Sequence, residues 1–168
     1  KGIDKYPAYY FVGFLMFEFF ATATQTSLTT LKDNRDLLIK SKLPRELFVL
    51  SRVLTAFVNF LLGCIPFAAV VAWYRARVTW YFMIPVVLLL LLIFTVGMSY
   101  AVSIWFVFQR DAMNIYSNFI FILRFFVAMF YSVEWVADGV KWVIQHNPLY
   151  AYIYVMRQCV VYGQWPET

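Results

Sequence analysis

Four apolar runs, residues 9–31, 47–73, 79–108 and 112–131, are separated in this chain by short charged or proline-containing breaks. About 20 apolar residues cross the hydrocarbon core of a bilayer as a helix, and each run reaches that length. In lipid every backbone N–H and C=O must be satisfied within the protein, so runs of this kind fold as helices. Charged residues make up 14% of the chain, against about 25% in an ordinary soluble domain. The expected fold is therefore an all-α membrane protein: a polytopic helical bundle with about four transmembrane helices in a single transmembrane domain.

The break at 32–46 carries the most information. With the first residues of the next run it holds Lys32, Arg35, Lys40, Lys42, Arg45 and Arg52 against Asp33, Asp36 and Glu46. Basic loops stay on the cytoplasmic side during insertion. That places 32–46, and the polar turn Phe108-Gln109-Arg110-Asp111, in the cytoplasm, and residues 1–8 and 132–168 outside. Arg75 and Arg77 run against this bias but form the shorter, less basic loop. Asn34 is a candidate N-cap for a short helix over 35–42, and Pro44 marks a break before the next span. The net charge of +5 sits in loops. It reads as topology and not as a nucleic-acid surface.

After residue 131 the pattern changes. Segments 132–145 and 149–162 are helical in composition but too short to cross alone, and His146-Asn147-Pro148 separates them. They are expected to form a re-entrant hairpin on the outer side. Trp135, Trp142, Tyr150 and Tyr152 would anchor it at the interface.

Each span carries a polar or small stripe at helical spacing. The stripes are Glu18, Thr22, Gln25 and Thr29; Ser51, Thr55, Asn59 and Gly63; Thr95, Ser99 and Ser103; and Asn114, Ser117 or Asn118, Phe121, Arg124 and Ala128. Small and hydroxyl residues allow close helix packing, so the second and third stripes are expected in the bundle interior. Glu18 and Arg124 stand apart. An ionisable residue deep in a span costs about 2.5–3.5 kcal/mol on insertion scales and faces a partner or water. The two either pair or line an aqueous path. With Thr22, Gln25, Phe121 and Phe125 they form the candidate pathway. Aromatic rings suit the C–H faces of sugars, and equally a lipid-facing belt.

The sequence offers no catalytic constellation. His146 is the only histidine, and a metal site needs three or four ligands. Cys64 and Cys159 lie in apolar surroundings and read as buried hydrophobes. No GxSxG, HExxH or GxxxxGK[ST] occurs. No metal, and no cofactor bound by this chain, is expected; if the protein uses energy, another chain or domain supplies the hydrolysis.

The order of NRDLLIKSKLPRELFVLSRVLTAFVNFLL, the following span pair, FQRD, and HNPLYAYIYVMRQCVVYG resembles the permease subunits of ABC polysaccharide exporters, the O-antigen and teichoic-acid export group. The family stretch N-x-x-L-I-x-K-x-x-x-P-R-E is matched by Asn34, Leu38, Ile39, Lys40, Pro44, Arg45 and Glu46, with one residue fewer before the proline. Gln109 is inserted in the aromatic-Arg-Asp turn, and Asn147, Pro148 and Arg157 match the family's Asn-Pro…Arg. The resemblance implies a homodimeric permease in the cytoplasmic membrane, worked by cytoplasmic ATP-binding subunits that hold ATP and Mg. It implies a lipid-linked glycan as cargo, surrounded by membrane lipids and with no nucleic acid. Asn34, Arg35, Leu38, Lys40, Pro44, Arg45 and Glu46 would be the ATPase-coupling residues. Trp135, Trp142, Asn147, Pro148, Tyr150 and Arg157 would belong to the outer re-entrant helices. Family members have six spans, so this chain would hold the second to fifth and lack the first and last. Competing readings are a type-2 permease for a small lipid, drug or haem, a membrane-embedded transferase, and an assembly protein without cargo.

Overall fold

Helix α1 (Tyr6–Asp33) is the axis on which α3, α4, α5 and α7 pack. In the computed structural model, residues 6–40, 44–73, 82–109, 111–129, 131, 136 and 138–162 are described, and every element among them is helical. After α1 come α2 (Arg35–Lys40), α3 (Glu46–Trp73), α4 (Met83–Phe108), α5 (Ala112–Phe126), α6 (Asp138–Gln145) and α7 (Pro148–Arg157), which runs on as a π-helical turn, Gln158–Tyr162.

The sequence of α1 explains its central place. Ala8, Gly13, Ala21, Ala23, Thr24 and Ser27 are all buried and small enough for neighbouring helices to approach closely. Their hydroxyls need no partner helix. Thr24 donates to the Phe20 carbonyl at 2.8 Å and Ser27 to the Ala23 carbonyl at 2.7 Å. Between them Met16, Phe17, Phe20 and Leu28 fill the core.

Helices α3 and α4, of 28 and 26 residues, are long and apolar enough to cross a membrane. At 1.5 Å per residue they measure roughly 42 and 39 Å. α3 continues through Pro66 to Trp73. Pro85 falls in the first turn of α4, where no intrahelical N–H is lost.

The two polar stripes behave differently. Thr95, Ser99 and Ser103 of α4 are buried as expected. Ser51, Thr55 and Asn59 of α3 are not: they are exposed, and Val49, Val53, Ala56 and Phe60 face inward. The interior expected for this stripe is corrected at these three positions, while its fourth member, Gly63, is half-buried against Leu15 of α1. The inward face is the one whose apolar side chains interlock with α1: Phe19 packs edge-on to Phe57 and tilted to Phe60, both with centroids 5.6 Å apart. Ser51 and Thr55 can face outward because their hydroxyls donate to the Phe48 and Ser51 carbonyls at 2.8 Å.

Helix α5 has 15 residues and stops at Phe126, short of the expected 131. Ala128 follows at φ 49°, a left-handed conformation that a non-glycine residue rarely adopts. The unwound residues Val127, Ala128 and Met129 are nonetheless buried, which is the condition for irregular backbone at membrane depth. At the start of α7 the Asn147 side chain accepts from Leu149 N at 3.0 Å, with Pro148 at the first helical position. Trp135, with the rest of 132–135 and residue 137, lies outside the described residues, as does Arg110.

Candidate functional site

Three places collect the polar chemistry of the bundle. The first is between α1 and α5. Arg124 Nη2 lies 3.6 Å from Glu18 Oε2, both side chains being more than a third exposed. Thr22, one turn along α1, donates to Glu18 Oε1 at 3.4 Å. The Arg124 guanidinium also lies over the Phe17 ring, 5.5 Å from its centroid. Of the two sequence alternatives, pairing is realised, and the pair remains open to the outside of this chain. Gln25 is exposed further along α1. Phe121 and Phe125 are exposed on α5 and meet edge-on at 5.6 Å. The six candidate pathway residues thus fall on the open faces of α1 and α5, and Glu18, Thr22 and Arg124 are in direct contact.

The second place is at one end of the bundle, around Arg157. This side chain is 2% exposed. Its guanidinium stacks on the Tyr9 ring, 3.7 Å from the centroid. Nη1 donates to Tyr9 Oη at 2.8 Å and to the Ala128 carbonyl at 3.2 Å. Nε reaches the Tyr9 carbonyl at 3.3 Å and Nη2 the Met129 carbonyl at 3.4 Å. The Tyr9 hydroxyl in turn donates to the Tyr131 carbonyl at 3.2 Å. The cation therefore supplies partners for the carbonyls that the end of α5 leaves unpaired, and among the described residues no carboxylate pairs with it. Gly13 makes room for it, since a Cβ there would come within 2.5 Å of Arg157 Nη2. The sequence put Arg157 on an outer helix by motif alone. Its position inside an apolar run, the signal used for Glu18 and Arg124, marks it equally as a buried group.

On α6, Trp142 is exposed and lies against the His146 ring at 4.4 Å, and His146 Nδ1 meets the Trp142 carbonyl at 2.8 Å. Tyr150 is half-buried beside Tyr154.

The third place is the charged segment at the opposite ends of α1, α3 and α4. Asn34 does not cap α2 as expected. Its side-chain amide and backbone N–H both turn back to the Thr30 carbonyl, at 2.9 and 3.2 Å, and close α1. A carbonyl at a helix C-terminus is an unpaired acceptor, which this donor satisfies. Its own carbonyl then starts α2 by accepting from Leu38 N at 2.9 Å. Pro44 and Arg45 begin α3, accepting from Leu47 N and Phe48 N at 3.2 and 3.3 Å. Tyr100 of α4 donates to the Glu46 carbonyl at 3.0 Å and ties the segment to the bundle.

No residue of α2 is buried. Arg35 and Lys40 are exposed, while Leu38 is half-buried and lines a cleft with Phe106. The exposed apolar side chains of α2 are Leu37 and Ile39, which the motif reading did not single out as a pair. Both are accessible to a further surface that docks on α2. Among the described residues no three His, Cys, Asp or Glu side chains come close enough to hold a metal ion.

The described residues thus form a helical bundle in which two helices are long and apolar enough to cross a membrane. The chain belongs to the ABC-2 type transporter family, whose sequence profile matches residues 2–161. It is similar to the O-antigen export system permease protein RfbA of Myxococcus xanthus, 31% identical over 140 residues, covering 82% of this chain and 54% of that protein. It is also similar to a permease protein of the same name from Klebsiella pneumoniae, 26% identical over 163 residues, covering 96% of this chain and 63% of that one. The chain thus spans between about half and two thirds of the length of the relatives it matches.

Proposed function

We propose that this chain is the membrane-spanning core of the permease of an ATP-driven exporter for a lipid-linked glycan of the O-antigen type. α1, α3, α4 and α5 serve as four passes of the cytoplasmic membrane. α6 and α7 form the re-entrant outer hairpin, and two copies of the permease work with cytoplasmic subunits that hold ATP and Mg. The buried unwound stretch after α5 is compatible with four passes, because protein covers it at depth. The relatives' names and the aromatic, half-open face of Glu18 and Arg124 support glycan cargo over a small lipid, drug or haem. The transferase reading finds no support in the described residues, whose acids are dispersed.

The observation that carries the reading is α2: an uncovered amphipathic helix fixed to the end of the central helix. ATPase closure pressing on α2 tilts α1, and with it the Glu18–Arg124 contact with α5. The test is export in cells lacking the native permease, with tagged permease isolated from their membranes. Complementation of surface glycan together with co-isolation of an ATP-binding subunit is expected. Complementation without any such subunit would overturn the reading.

A further inference from the structure

The charged end of the bundle holds a cleft beneath α2, to which Arg35, Leu38 and Arg45 of the coupling segment contribute. It has a volume of about 530 Å³ and lies between the end of α1, α2, the start of α3 and the end of α4. Lys32, Arg35 and Arg45 line it, and among the described residues no carboxylate does. Asp33 and Asp36 are exposed and lie outside the lining. Glu46 lines an adjoining cleft of the same size, with Leu31, Arg45 and Val107 common to both. Among the described residues none of the three cations forms an ion pair. The rest of the lining is apolar: Leu31, Leu38, Ile39, Phe106 and Val107. Lys32 Nζ is held 5.9 Å from the Phe106 ring centroid. Val107 and Phe108 extend this apolar surface outward on α4 and are largely exposed.

Three unpaired cations above an apolar floor, where two spans emerge from the membrane, match one kind of molecule in charge and in shape. An anionic head meets the cations and a hydrocarbon chain follows α4. We infer that this cleft binds an anionic phospholipid of the adjoining leaflet, its phosphate held by Lys32, Arg35 and Arg45 and an acyl chain laid against Phe106, Val107 and Phe108. An acidic side chain of a protein partner would satisfy the charge but leave the apolar floor uncovered. The bound lipid fills the space beneath α2 and gives that helix a firm seat.

The test uses the full permease with its ATP-binding subunit, exchanged into micelles containing either dioleoylphosphatidylglycerol or dioleoylphosphatidylcholine. Retained lipid is counted by native mass spectrometry. Phosphatidylglycerol is expected to be retained over phosphatidylcholine. Retention should fall at least about fivefold in Lys32→Gln/Arg35→Gln/Arg45→Gln and survive in Lys32→Arg/Arg35→Lys/Arg45→Lys. Val107→Trp keeps every charge and fills the cleft, and it should also lose the lipid, which separates a cleft from a merely basic surface. Equal retention by the wild type and the Gln variant, or full retention by Val107→Trp, would overturn the inference. So would retention of a polyprenyl diphosphate but not phosphatidylglycerol, which would make the cleft a cargo-head site. Weaker ATPase association with unchanged lipid retention would assign the cations to the protein partner instead. The lipid count does not depend on export, so its failure is distinguishable from failure of the transport reading.

Discussion

Arg157 and Tyr9, 148 positions apart in the chain, form one unit: the guanidinium lies 3.7 Å above the phenol ring and bonds both its hydroxyl and its backbone carbonyl. The same cation holds the carbonyls of Ala128 and Met129 where α5 unwinds. One side chain thereby locks α7, the start of α1 and the end of α5 together. Burying a charge without a carboxylate is costly, and here several carbonyl and hydroxyl acceptors with a ring face offset that cost.

Arg157→Met should therefore destabilise the permease by about 3–5 kcal/mol, because it leaves buried carbonyls unpaired. Tyr9→Phe keeps the stacking and removes the hydroxyl, and should cost only about 1 kcal/mol. Thermal unfolding of the purified protein in one detergent ranks the two. A Tyr9→Phe loss as large as that of Arg157→Met would show that the hydroxyl relay to Tyr131, and not the cation, holds the junction.

Gly13→Ala should push the Arg157 guanidinium from its seat and cost about 1–3 kcal/mol, the usual range for overpacking. In an Arg157→Met background the clash disappears, so the two changes should be less than additive. A double-mutant cycle measured by unfolding checks this. Additive losses would mean that Gly13 matters for a reason other than the arginine.

Thr22 and Gln25 lie towards the open side of α1, whereas Met16 and Ala23 are buried. With Cys64 and Cys159 replaced by alanine, cysteines at Thr22 and Gln25 should react with a small polar thiol reagent in the assembled transporter. Cysteines at Met16 and Ala23 should react much more slowly. Protection at all four positions would mean that the assembled protein seals this face dry and that the Glu18–Arg124 pair is structural.

Leu37 and Ile39 are the exposed apolar pair of α2. Leu37→Asp/Ile39→Asp should insert normally, lose association with the ATP-binding subunit at least about tenfold, and abolish export. Co-isolation from membranes and surface glycan measure both. Undiminished association would move the docking surface away from α2.

The sequence by itself determined the helices and their punctuation. Apolar runs at 9–31, 47–73 and 79–108 became α1, α3 and α4 with ends close to those expected, because charged and turn-forming residues bound them. Asn147 and Pro148 announced the start of α7, because an N-cap followed by proline is a local chemical signal. Glu18 and Arg124 were conspicuous in apolar surroundings, but that they meet each other was one of two alternatives the sequence left open. The tertiary structure decided which side of α3 turns inward, why α5 ends early, and where Arg157 goes. Periodicity shows that a helix has two faces, but in a membrane either can meet protein or lipid, and only packing against α1 chooses. The end of α5 and the burial of Arg157 are one event, made by contacts between residues far apart in the chain, and no local pattern encodes their meeting.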